Sequence, residues 1–360
     1  MVEVMNICVV IPVYNCHQYL SDAVNSVLNQ PYQGIQIVLV DDGSTDGSSE
    51  LCERLSEEKQ NITVLHQQNG GVSVARNNGM EYVLETLYRE SDKGYIAFLD
   101  ADDVWKSDFF SQEVVDSLHK GYNLIGFRTY NCNGSLTRRE CDSKFTAGKY
   151  IGESVSFGLY DHQHFAGMFY SFELFRKYPI KFRKGLAFGE DRLFSRECLY
   201  LAESLLLLDR PLYLYRNNTT SAVHNRPYGI CYFEPMFSQW LESDRFLNEF
   251  DGGSNKIANQ GKGYVGWYIA DMIEDHLCHF GKKQEITNWM RKNQEYIALI
   301  YSYGGEEAVE RYEHILDNMT LFDVKCKLKG IMQFLYRKVK CFPPVAKIVE
   351  SKRYPMINVK

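Results

Sequence analysis

No stretch of the 360 residues runs to 18 uninterrupted apolar positions, so nothing in the sequence reads as a membrane-spanning helix. There are 10 cysteines, but no two have CxxC spacing and none clusters with histidine at zinc-site spacing. Free thiols in a reducing cytoplasm explain that pattern. The opening residues, MVEVMN, lack the basic n-region and apolar h-region of a secretory signal peptide and run directly into a strand. The expected location is therefore cytoplasmic. A basic excess is also missing: 40 Lys and Arg against 46 Asp and Glu give a net charge of −6, which argues against nucleic acid as a partner. Neither GxGxxG after the first strand nor GxxxxGK[ST] occurs, which disfavours a nicotinamide enzyme and excludes a P-loop protein.

What the chain does have is apolar content for a core, 45%, and a short stretch whose acids packing does not require. Tyr95 to Trp105, YIAFLDADDVW, begins as a buried strand and ends in Asp100, Asp102 and Asp103. Three acids within four residues repel one another and are costly to desolvate. At a strand's carboxyl end they suggest a hard, oxygen-seeking cation such as Mg²⁺ or Mn²⁺. A solvated acidic turn that caps the next helix is the plainer alternative, and this stretch alone does not decide between them.

Along the chain, Asn6 to Val13, Gln36 to Val40, Ile62 to Leu65 and Tyr95 to Leu99 read as strands. Helices are expected from His17 to Leu28, after Gly47, and from Val72 to Leu87. Strands alternating with helices, joined by short polar loops, predict an α/β fold with a mostly parallel sheet covered on both faces. Ligands bind such a sheet beyond the carboxyl ends of its strands, which here carry Pro12 to Asn15, Asp41 to Asp46, Gln67 to Gly71 and Asp100 to Asp103. Past Trp105 the alternation breaks down. Ser107 to Lys120 predicts a helix, Leu124 to Tyr130 a strand, Asn131 to Thr146 a polar loop, and Glu190 onward another helix. Several amphipathic helices are expected from Tyr228 to about Ile315. From Lys325 to Lys360 there are ten Lys or Arg and one acid, Glu350, interleaved with apolar residues. Such a tail either lies on an anionic lipid surface or packs on the acidic body.

Five blocks taken together, VVIPVYN at 9–15, VLVDDGSTDGS at 38–48, NGGVSVARNNG at 69–79, FLDADD at 98–103 and GED at 189–191, resemble the family 2 glycosyltransferases of the GT-A fold. They occur in the family's order and cover about the first 225 residues. The resemblance implies a Rossmann-like GT-A domain in two halves, 1–105 for the nucleotide-sugar and 106–227 for the acceptor and catalytic base. A helical region, 228–324, and the basic tail, 325–360, follow.

The resemblance also implies roles. Pro12, Val13, Tyr14 and Asn15 would flank the nucleoside of a donor, most simply a UDP-sugar. Asp42, with Asp41 beside it, would accept the N3 proton of uracil. Gly71 and Arg76 would face the donor, although Arg76 read by itself is a surface arginine pairing with a loop acid. Asp100, Ala101 and Asp102 match the DxD motif. Asp102 would bind the divalent metal, Mn²⁺ or Mg²⁺, directly, Asp100 would sit by the ribose or a metal-bound water, and His224 would be a further ligand. Asp103 would support the turn or cap a helix, and Asp46 only a helix. Asp191 would be the general base on an acceptor hydroxyl, with Glu190 orienting the acceptor. In-line displacement by that hydroxyl inverts the anomeric centre. A bacterial surface glycan or lipid-linked oligosaccharide is the acceptor the resemblance implies.

Two other readings stand beside this one. DADDV fits the DxDx[TV] pattern of haloacid-dehalogenase-type phosphatases, but their nucleophilic aspartate ends the first strand of its domain rather than the fourth. A nucleotide-sugar-binding protein, or a scaffold protein, that has lost activity would share the fold, yet has no need of a base at Asp191.

Overall fold

The computed structural model describes residues 4–133, 136, 139–141, 147–152, 155, 165–186, 189–217 and 230–250, and beyond these 266, 269–270, 272–273, 283–303, 308–310 and 312–313. His224, most of the expected loop at 131–146 and the basic tail at 325–360 lie outside the described residues. The chain forms two units, 1–227 and 228–360.

Four strands, β1 (Asn6–Val13), β2 (Ile35–Asp41), β3 (Ile62–His66) and β4 (Gly94–Phe98), alternate with helices α1 (His17–Leu28), α2 (Ser48–Glu58) and α3 (Val72–Tyr82). They pair in parallel in the order β3-β2-β1-β4. The apolar runs of β1, β2 and β4 follow from burial on both faces, and Ile7 to Ile11 are wholly inaccessible to solvent, whereas the edge strand β3 is only partly buried. Pro12 is tolerated because β4 pairs with β1 only as far as Val10 and leaves that side without a ladder beyond it. The third helix lies so close to β1 that a Cβ on Gly79 would stand 2.4 Å from Val10 Cγ1. The predicted helix to Leu87 ends earlier as α-helix and finishes in one wide π turn, Val83–Leu87.

The second half of the unit departs from the parallel pattern. After β5 (Val104–Trp105) come α4 (Gln112–Leu118), β6 (Leu124–Cys132), β7 (Arg139–Cys141), β8 (Gly148–Ile151), β9 (Met168–Ser171), α5 (Phe172–Lys177), α6 (Glu190–Leu201) and β10 (Ser204–Arg216). β9 runs antiparallel between β4 and β6, and β10 pairs in parallel with β6 and antiparallel with both β5 and β8. The result is one mixed sheet ordered β3-β2-β1-β4-β9-β6-β10-β5, with β7 on β6 and β8 on β10. The expected helix at 107–120 is only the seven residues of α4. Within the expected polar loop at 131–146, residues 139–141 form a strand that pairs with β6.

Between the halves lies an aromatic core. Phe98 meets Phe165, Tyr170, Phe182 and Phe194, and the Phe182 and Phe194 rings stack at 3.8 Å. The second unit contributes α7 (Ile230–Asn248), α8 (Lys283–Lys292) and α9 (Gln294–Tyr303). There the buried Phe237 ring meets Trp289 at 6.3 Å and Tyr296 at 5.7 Å. No helix among the described residues is long and apolar enough to cross a membrane.

Candidate active site

Because β1 to β4 share one direction, their carboxyl ends meet along one rim. The loop after β1 is fastened there by the loop after β2. The amides of Asn15, Cys16 and His17 donate to Ser44 Oγ, Ser48 Oγ and Asp46 Oδ2 at 3.1, 3.0 and 3.1 Å, and Asn15 Oδ1 accepts from the Thr45 amide at 2.8 Å. These bonds serve the amides that open α1, whose own N-cap, Cys16, supplies no side-chain acceptor. Asp46 also accepts from the Ser48 amide at 3.0 Å, so it is not the N-cap of α2, a place Gly47 takes, but it satisfies that helix's first amide from one residue further out and ties α1 besides. With Asn15 held at φ +49, Tyr14 projects from the turn 52% exposed.

Asp41 and Asp42 are both buried, with different commitments. Asp42 accepts from Gln67 Nε2 and the Gly70 amide at 2.7 Å and from the Gly71 amide at 2.8 Å, which caps α3. Asp41 accepts from the Ser44 amide at 3.0 Å and meets His66 Nδ1 at 3.0 Å. Burial raises the Asp41 carboxyl, but hydrogen bonds from Ser44, His66 and Ser49 outweigh it and hold it below the ordinary range.

His66 Nε2 bonds Glu53, and that bond, opposed by partial burial and aided by Asp41, lifts the imidazole above its ordinary 6.5. A raised folded-state pKa gives stability that is complete below 6.5 and fades as the pH climbs through the folded value. Wild type should therefore melt above His66→Gln at about pH 6, by a margin that shrinks toward about pH 9. The ring is half-exposed, so the margin is about 1 kcal/mol or less. Melts of both proteins across that range check it, and a pH-independent gap would count against the ion pair.

Arg76 corrects the reading of a surface arginine. It is 4% exposed, and its fork addresses two acids at once, Nη2 to Asp100 Oδ1 at 2.7 Å and Nη1 to Glu190 Oε1 at 3.0 Å. The guanidinium also lies over the Phe165 ring at 4.3 Å and the Phe182 ring at 5.2 Å. Glu190 and Asp191 start α6 from Gly189, whose φ of +83 is the left-handed turn that only glycine takes without strain. Burial, partly countered by Arg76 and reinforced by Asp191, raises the Glu190 carboxyl. The Asp191 carboxylate accepts from the Arg192 amide at 2.7 Å.

In the DADD turn the three acids have separate environments. Asp100 pairs with Arg76, while Asp102 is pushed up to about 6 by burial and by the charge of Asp100. Asp103 is wholly internal. Its Oδ1 accepts from the Arg216 amide at 2.7 Å, and its other oxygen accepts from the Tyr213 hydroxyl. Asp100 and Asp102 fit a divalent cation, since two hard oxygen donors with like charge in a partly buried turn are relieved by a positive ion. Among the described residues no three His, Cys, Asp or Glu form a ligand cluster, and His224 is not among those residues.

The structure thus brings Asp100, Arg76 and Glu190 into contact, with Asp102 two residues beyond Asp100 and Asp191 next to Glu190. Val13 to Asn15, Asp41, Asp42 and Gly71 lie on the same rim. Ser44, Ser48, Tyr213 and Arg216 were not singled out in the sequence. For the two serines the signal was the alternation of hydroxyl and acid in DGSTDGS. Tyr213 and Arg216 had none, because their partners are more than a hundred residues away.

Residues 8–179 match the family model described as glycosyl transferase family 2. The chain is 30% identical over 228 residues to the glycosyltransferase GlyG of Streptococcus pneumoniae, covering 60% of this chain and 72% of GlyG. It is 27% identical over 218 residues to the minor teichoic acid biosynthesis protein GgaA of Bacillus subtilis, covering 58% of this chain and 46% of GgaA. Among solved structures, S. aureus TarS 1–349 in complex with UDP-GlcNAc superposes with a TM-score of 0.61 at 16% identity, covering 98% of this chain and 95% of that one.

Proposed function

The chain belongs to glycosyl transferase family 2 and is a glycosyltransferase of GT-A fold, and from that premise we propose that it is inverting and metal-dependent, moving a sugar from a UDP donor to a hydroxyl of a bacterial surface glycan or its lipid-linked precursor. The observation that carries this reading is the double engagement of Arg76, which joins the Asp100 end of the DADD turn to Glu190 at the start of α6. A site for the donor's diphosphate and a site for the acceptor then share one wall.

On this reading Asp42 and the turn at 12–15 hold the uridine, and Asp102 with Asp100 holds Mn²⁺ or Mg²⁺. His224, which the sequence resemblance implies as a further ligand, would complete the set. When bound, the cation supplies Lewis-acid neutralisation of the departing diphosphate. Glu190, held by Arg76, orients the acceptor. Asp191 takes the proton from the attacking hydroxyl, opposite the leaving group, which inverts the anomeric centre. A pure binding scaffold would have no use for a second acid beside Glu190. Similarity to GgaA, a minor teichoic acid biosynthesis protein, supports a cell-wall or capsular acceptor, and the UDP-GlcNAc held by TarS is the first donor to try.

The test is nucleotide release from a panel of UDP- and GDP-sugars with Mn²⁺ or Mg²⁺, with and without crude acceptor lipid, and again with EDTA. Release from one UDP-sugar that EDTA abolishes is the expected result. Release unchanged by EDTA would overturn the metal assignment. Absence of both release and UDP binding by calorimetry would favour the scaffold.

A further inference from the structure

The third acid of the DADD turn has no part in the chemistry above, yet it is the most deeply buried of the three. Asp103 is 1% exposed. A carboxylate that far from water is costly unless its oxygens are hydrogen-bonded, and both are. The Tyr213 hydroxyl donates to Oδ2, and the Arg216 amide donates to Oδ1 at 2.7 Å. The same Tyr213 oxygen accepts from the Asp100 amide at 3.3 Å, so one phenol spans the turn from its first residue to its last. Arg216 returns to the turn with its side chain, Nε donating to the Asp102 carbonyl at 2.7 Å. Its outer nitrogen reaches Asp22 of α1 at 3.1 Å, and its guanidinium lies 4.7 Å from the centre of the Tyr19 ring.

These contacts have a common origin in the sheet. β5, which leaves the turn, pairs antiparallel with β10, Trp105 opposite Tyr213 and Val104 opposite Leu214. That pairing lays the last residues of β10 alongside the turn, and α1 backs them from the other side through Asp22. The Asp100 amide, the Asp102 carbonyl and the Asp103 carboxylate are therefore all held by one strand from the acceptor half of the unit.

A turn needed only to link β4 to β5 requires none of this. Two like-charged carboxylates, Asp100 and Asp102, tend to splay apart, and a turn free to let them do so would have to be ordered again whenever a ligand bound. We propose that Tyr213 and Arg216 are positioning residues that, through buried Asp103, hold the DADD turn with the Asp100 and Asp102 carboxylates fixed for the donor's diphosphate and its cation. This rests on the reading of the turn as the donor and metal site. It adds that the geometry of that site is set by β10, the strand next to the β5 edge of the sheet.

Tyr213→Phe removes one oxygen and keeps the ring, so it tests the link with little change in packing. Calorimetry of UDP binding with Mn²⁺ and again in EDTA is the measurement, with wild type as reference. The expected result is an affinity for UDP that falls about tenfold in Mn²⁺, the scale of a lost buried hydrogen bond, and is unchanged in EDTA. By linkage, the factor by which bound UDP strengthens Mn²⁺ binding falls by the same amount. Arg216→Lys, which keeps the charge and loses the Nε donor, is expected to act in the same direction and serves if the first variant does not fold. A lowered melting temperature with unchanged metal-dependent affinity would mean that the network only stabilises the fold, and would overturn the proposal alone. Wild type binding UDP equally with and without metal would overturn the reading of the turn, and the proposal with it.

Discussion

Replacing Asp191 by asparagine is expected to lower turnover at least about a hundredfold and to leave the affinity for UDP nearly unchanged, the signature of a lost general base. The exchange is almost isosteric. The carbonyl oxygen of asparagine still accepts from the Arg192 amide, as Asp191 Oδ1 does at 2.7 Å, so the start of α6 is undisturbed. What would disappear, on the proposed role, is the ability to take a proton from the acceptor hydroxyl. Glu190 is a poor substitute, because its carboxylate is tied at 3.0 Å to an arginine that is itself fixed over the Phe165 ring. Steady-state rates with saturating donor and acceptor, beside calorimetry of UDP, separate the two effects. Turnover equal to wild type would remove Asp191 from the mechanism, and a parallel loss of UDP affinity would point to damage at the donor site instead.

The sequence was most legible where burial alone dictates the pattern. β1, β2 and β4 are covered on both faces, so they appear as unbroken apolar runs, and a polar loop after each marks the rim. α1 was readable from Leu20, Ala23, Val24 and Val27, all of which are buried. Beyond Trp105 that logic failed for a physical reason. β9 is inserted antiparallel between β4 and β6, and nothing local to MFYS distinguishes a parallel from an antiparallel neighbour. β10 contains Asp209, Arg210 and Pro211 in mid-strand, where its register against β6 shifts, so its apolar pattern is interrupted.

The site divides along the same line. Acids in short motifs were visible because clustered carboxylates are hard to explain by packing. Their partners were not, Arg76 having been singled out only as facing the donor, since Asp100 meets Arg76 across 24 residues, Glu190 meets it across 114, and Asp103 meets Tyr213 across 110. An arginine alone in a sequence reads as surface, and only the fold shows that Arg76 is enclosed by Phe165 and Phe182.

Replacing that arginine by methionine should give the largest loss of stability of any single change at the site, about 3–5 kcal/mol near neutral pH, as expected when one member of a buried ion pair is removed. Methionine fills much of the space over Phe165, so the loss reports on charge more than on volume. Glu190, 12% exposed, loses the Arg76 cation, and Asp191 still repels its charge. The variant's Glu190 therefore holds its proton to higher pH when folded than its ordinary 4.5 when unfolded. A carboxyl raised in the folded state is neutral in both states in acid and loses stability as the pH rises from the unfolded value through the folded one. The deficit against wild type is thus small at about pH 4.5 and full near about pH 7.5. Urea unfolding of both proteins at the two pH values reads it directly. Lysine at the same position should recover little, because a single ammonium cannot reproduce the fork that gives one nitrogen to Asp100 and another to Glu190. A deficit equal at both pH values would assign the role of Arg76 to packing on the aromatic rings. Recovery by lysine would show that charge alone, and not the two-armed link between the DADD turn and α6, is what the site requires.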